Sequence, residues 1–176
     1  MLVTLLLSGL LGGLVSAPKA APAQVAPAVV RPNPLATTTI SGDTVTPATI
    51  TFTATNPTGT PVVSGSAAAV VTWKTGTPKG GAWTLTVNSS GTDFSSCTTV
   101  PASAVTVTCS SVTGGTAGAC SGATALSTSA TQVAGGTEGA GTTTYTVNLG
   151  FTLADSWKYI ASSLCSLSLA YTITAK

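Results

Sequence analysis

The chain has 176 residues, a formal net charge of +2, 6% charged residues and no histidine, where a soluble domain typically carries roughly 25% charged residues. Its cations, Lys19, Arg31, Lys74, Lys79, Lys158 and Lys176, are scattered, so no clustered basic surface is offered to nucleic acid or anionic lipid. Without an imidazole, neither a Ser-His-Asp nor a Cys-His nucleophile can be assembled.

From Leu2 to Val15 the chain is apolar, interrupted only by Thr4, Ser8 and glycines. That run is short for a membrane span and has the length of a signal-peptide core. Ala21-Pro22-Ala23 supplies a small-x-small pattern ahead of Gln24, so residues 1–23 read as a signal peptide and the mature chain as secreted to the exterior or the cell surface. No basic residue precedes the run, and the alternative is a buried N-terminal strand or helix. Beyond it no apolar stretch of about 18 residues occurs, so no membrane span is expected in the mature chain.

Residues 24–36 form an Ala/Pro-rich leader in which Pro27, Pro32 and Pro34 deny helix and most ladder hydrogen bonds. An extended segment of this kind can add a strand to another copy, with Val25, Val29, Val30, Leu35 and Ile40 as its apolar positions. Residues 37–176 should be the folded domain.

Within that domain the apolar residues recur with period two. Ile50, Phe52 and Ala54 alternate with threonines, and Val70 to Trp73 adds a further strand. Trp83, Leu85 and Val87 share one face, as do Val105, Val107 and Cys109. So do Tyr145, Val147, Leu149, Phe151 and Leu153, and then Cys165, Leu167, Leu169, Tyr171 and Ile173. Successive side chains of a strand point to opposite faces, so each segment reads as a half-buried antiparallel strand. Thr37 to Ile40 and Ala123 to Ser127 are weaker candidates. Turn signals stand at Asn56-Pro57-Thr58-Gly59, Gly76 to Gly81, Ser90-Gly91, Gly114-Gly115 and Gly135-Gly136. About seven to nine short strands separated by such turns predict an all-β, antiparallel β-sandwich, immunoglobulin-like or jelly-roll-like. One helical turn is expected at Asp155 to Ser162, with Asp155 as its cap and Trp157 and Ile160 packed inward.

The four cysteines, Cys97, Cys109, Cys120 and Cys165, suit two disulfides in an exported chain, with three connectivities open. Zinc is disfavoured because paired C-x-x-C spacing is absent. No catalytic, cofactor or metal site is expected: Asp43, Asp93, Glu138 and Asp155 are far apart and near turns, and no calcium loop or phosphate-cradling motif occurs. Lys74 and Asn148 both lie in strand-like segments, yet no acid that could promote an isopeptide between them is evident. Asn88-Ser89-Ser90 is an N-glycosylation sequon. Among the aromatics, Trp73, Trp83, Tyr145 and Tyr171 fall on apolar strand faces and should fill the core. Trp157 and Tyr159 remain as the exposed pair that could contact glycan.

Gly80-Gly81-Ala82-Trp83-Thr84-Leu85-Thr86-Val87, followed by Asp93-Phe94, resembles the first signature of bacterial WxL-type cell-surface domains, and the strands Tyr145 to Leu153 and Leu167 to Thr174 are similar in texture to their C-terminal half. The second Trp-x-Leu of that pattern is absent, and the four cysteines lie outside it. The resemblance implies noncovalent association with the cell surface or peptidoglycan. No anchor or sorting motif is recognised. The expected function is therefore a structural surface protein that assembles with its own copies, or alternatively a module that adheres to cell wall or carbohydrate.

Overall fold

The computed structural model describes residues 3–9, 40–54, 56–76, 80–159 and 165–175. In chain order the strands are β1 (Val3–Gly9), β2 (Ile40–Thr46), β3 (Thr49–Ile50), β4 (Thr53–Ala54), β5 (Val62–Ser64), β6 (Ala69–Thr75), β7 (Ala82–Ser89) and β8 (Asp93–Phe94). They continue as β9 (Cys97–Pro101), β10 (Val105–Thr113), β11 (Thr116–Cys120), β12 (Thr124–Ala125), β13 (Thr131–Thr137), β14 (Thr143–Ala154) and β15 (Cys165–Ala175). The only helical element among the described residues is a 3-10 turn at Ala102–Ala104. The excess over the expected number of strands comes from pieces of two or three residues, such as β3, β4, β5, β8 and β12.

Two sheets pack into a sandwich. The first has the order β11-β13-β7-β15-β1-β3, with β4 also on β1; the second runs β12-β10-β14-β6-β2, with β5 also on β14. Strands β8 and β9 make a separate hairpin. All these junctions are antiparallel except β1 against β15, which is parallel.

The threonine alternation sorts the two faces as the sequence predicts. In β7, Trp83, Leu85 and Val87 are buried between partly exposed threonines, and β14 and β15 repeat the pattern over eleven or twelve residues. Between the sheets, Trp83 of the first meets Trp73 and Tyr145 of the second. The Trp73 and Tyr145 rings stack at 5.2 Å and 9°, while Trp83 stands edge-on to Trp73 at 5.1 Å and 67°. Such offset and edge-to-face contacts suit the quadrupoles of the rings and add to their large buried area.

Three expectations are corrected. Ile50, Phe52 and Ala54 do not lie on one continuous strand: the ladder breaks at Thr51 and Phe52. Here Thr51 turns to Ser66 instead, donating its N–H to Ser66 Oγ at 3.0 Å and accepting from the Ser66 N–H at 2.8 Å. Phe52 is nevertheless wholly buried. Gly135 and Gly136 are not a turn but lie inside β13, opposite Thr84 and Trp83. Their bareness serves packing, since a Cβ on Gly136 would sit 3.0 Å from the Trp83 ring and 2.9 Å from the Gly118 Cα. Trp157 is not packed inward. Asp155 Oδ1 accepts from the Ser156 N–H at 2.8 Å, but the chain makes only a turn, and Trp157 is 71% exposed. Ile160 lies outside the described residues.

Gly114-Gly115 does turn the chain from β10 into β11, with φ of +89° and +68°. Asn56 shapes its turn by accepting the N–H groups of Thr58 and Gly59 on its side-chain oxygen, an Asx-type cap of the kind this residue favours.

Candidate assembly site

Strand β1 is drawn from the stretch that reads as a signal peptide, and it lies inside the first sheet. On one side it runs parallel to β15, with Leu5 opposite Cys165, Leu7 opposite Leu167 and Gly9 opposite Leu169. On the other it is antiparallel to β3, through Leu7–Ile50 and Ser8–Thr49, and to β4, through Val3–Ala54 and Thr4–Thr53. Neither β3 nor β4 has any other strand partner among the described residues. The sheet therefore holds a slot, walled by Cys165–Leu169 and by Thr49–Ala54, which one strand fills.

The β15 wall is braced from behind. Cys165, its first residue, is joined to Cys97 of β9 in a disulfide. Ser166 bridges Ser95, both through the backbone and through a 2.8 Å contact between their hydroxyl oxygens. The Ser168 carbonyl accepts the Ser90 N–H at 2.9 Å. Cys165, Leu167 and Leu169 are all buried.

The second disulfide, Cys109–Cys120, ties β10 of one sheet to β11 of the other. The pairing is thus Cys97–Cys165 and Cys109–Cys120, with no free cysteine among the described residues. Two disulfides fit a compartment outside the reducing cytosol. No helix of the described residues is long and apolar enough to cross a membrane.

Of the segment read as a donor strand, Val25, Val29, Val30 and Leu35 lie outside the described residues, as does the rest of the leader. Ile40 opens β2 and is paired with Thr75 of its own β6. The glycan-contact pair divides. Trp157 stands out from the surface, its indole N–H donating to Thr58 Oγ1 at 3.2 Å, whereas Tyr159 is half-buried against the core. Burial, and then the charge of Asp155, raise the Tyr159 phenol above its ordinary value. Among the described residues Val62, paired with Ala154, is the other large apolar residue exposed.

Asn88 of the sequon is half-buried in β7, opposite Ala170. Lys74 is exposed and paired with Thr144 and Ser41, while Asn148 is paired with Val70, four residues along β6. The register thus places the two residues apart. Asp43 lies in β2, Asp93 in β8, Glu138 just after β13 and Asp155 just after β14. No cluster of three or more His, Cys, Asp or Glu that could hold a metal ion occurs among the described residues.

Comparison of the chain with protein-family models, with characterised proteins and with solved structures finds no match. The slot was not legible beforehand because its walls come from residues more than a hundred positions apart. The one available signal was that Leu2–Val15 could be an N-terminal strand, the weaker of the two readings of that run.

Proposed function

We propose that this is an exported structural protein of the cell surface. It is a self-assembling subunit of an extracellular filament or surface layer, and its copies are joined by exchange of an N-terminal strand. The observation that carries the reading is the seat of β1: a strand separated by residues 10–39 from the rest of the fold completes the first sheet. A sheet completed from a sequence-remote segment is the kind that a strand of another chain can complete by main-chain hydrogen bonding. The two disulfides and the low surface charge support it further, since weakly charged surfaces repel their copies little. Electron microscopy of the protein gently isolated from cells tests it: filaments or layers are expected, and monomers at every concentration would refute it.

A second reading is favoured by one observation. Trp157 is 71% exposed and held to the Thr58 turn by its indole N–H, and an indole face standing in water suits stacking on a sugar ring. On that reading the protein is a noncovalent cell-wall or carbohydrate-binding module, in keeping with the WxL-type resemblance. Retention on insoluble glycans, lost on Trp157→Ala, is its test.

A further inference from the structure

The direction of β1 specifies more than its position. It runs parallel to β15 and antiparallel to β3 and β4. Strand β2 ends at Thr46, and β3 begins at Thr49, which is paired with Ser8 near the end of β1. Thr46 and the C-terminal end of β1 therefore lie at the same end of the sandwich. Ile40 starts β2 at the opposite end, roughly 20 Å away at about 3.3 Å per residue.

A strand that takes the place of β1 in the same direction leaves the slot at the Thr46 end. To reach Ile40 of its own chain it must double back along the length of the sandwich. A strand belonging to a second copy stacked on that end runs straight on into the Ile40 of that copy. We infer that the slot between β15 and β3–β4 is a strand-acceptor site for residues 24–39 of a second copy, which enter it parallel to β15 and join the copies head to tail. This deepens the assembly reading above and rests on it, in particular on removal of residues 1–23 during export.

Three features suit the slot to that occupant. Once residues 1–23 are gone, Cys165–Leu169 and the β3–β4 pieces lose a strand partner together, leaving two rows of unpaired N–H and C=O groups facing each other. The Cys97–Cys165 disulfide and the Ser95–Ser166 bridge hold one wall in place beforehand, which lowers the ordering cost of binding. The register positions facing buried Cys165, Leu167 and Leu169 call for apolar or small residues at every second place, and the leader is rich in Ala and Val. A heterologous contact of this kind generates an open fibre wherever the rotation between copies does not close into a ring.

The test is photo-crosslinking on the full chain expressed in an exporting host, with Thr53 replaced by p-benzoylphenylalanine. Thr53 is exposed and lies on the β4 wall. Isotopically heavy and light preparations are mixed, dissociated and reassembled before irradiation. The expected product has twice the monomer mass and links position 53 to a peptide from residues 24–39, in heavy–light pairs. Crosslinks to residues 3–9, or to the leader of the same copy, overturn the inference. Assemblies that form with crosslinks elsewhere overturn it and leave the proposed function standing. A preparation that stays monomeric, with no heavy–light product, overturns both.

Discussion

Trp73 is the register partner of Tyr145 across β6 and β14, and their rings stack 5.2 Å apart at the centre of the sandwich. Tyr145 anchors the stack at its polar end: its hydroxyl accepts the Gly139 N–H at 2.8 Å. Trp83 from the other sheet closes the cluster at 5.5 Å from Tyr145. Trp73→Ala should therefore destabilise the fold by about 3–5 kcal/mol, the usual cost of emptying a large aromatic site. Trp73→Phe should cost less. Denaturant unfolding followed by near-ultraviolet circular dichroism measures both.

Gly118 and Gly136 leave room for the same cluster. A Cβ on Gly118 would lie 2.6 Å from Val112 Cγ1, and one on Gly136 would press on the Trp83 ring. Gly136→Ala and Gly118→Ala should each cost about 1–3 kcal/mol through overpacking, whereas Gly122→Ala, with open space around it, should be nearly neutral. Thermal melts of the three variants in parallel give the comparison.

The two disulfides should differ in what their loss costs. Cys97–Cys165 spans 68 residues and Cys109–Cys120 spans 11. On the chain-entropy account the first stabilises by about 4 kcal/mol and the second by about 3 kcal/mol. Paired Cys→Ser variants of each, unfolded in guanidinium, should rank in that order. Loss of the first should also loosen the β15 wall of the slot, seen as faster amide exchange at Ser166–Leu169.

Alkali should weaken the fold. Burial holds the Tyr171 phenol far above its ordinary value of 10.0, and burial together with Asp155 raises that of Tyr159. In both cases the folded state keeps its proton where the unfolded chain releases it. The associated stability is complete below about pH 10 and is lost as pH rises beyond that. Tyr171→Phe should flatten the alkaline limb of a stability-against-pH curve, and Tyr159→Phe should do so to a smaller extent.

Much of the sandwich was legible in the residues. The alternation of Tyr145 to Leu153 and of Cys165 to Ile173 identified the two longest strands of the folded domain and their buried faces, because a two-residue period has only one reading on a pleated surface. Strand β13 was missed for an equally definite reason. Its Gly135-Gly136 pair carries the local mark of a turn, and only the Trp83 ring beside it explains why glycine sits in a strand. Trp157 was expected to pack inward in a helical turn and also to be available for glycan; the structure retains only the exposure.

The sequence by itself determined the all-β class, the buried faces of the long strands and the aromatic core, because these follow from local periodicity and side-chain size. Only the tertiary structure decided which cysteines pair, where the ladder breaks at Thr51, and that Val3–Gly9 lies between β15 and β3. Those outcomes depend on which remote backbones come within hydrogen-bonding distance. Local pattern constrains that weakly, since any apolar strand can in principle pair with any other edge.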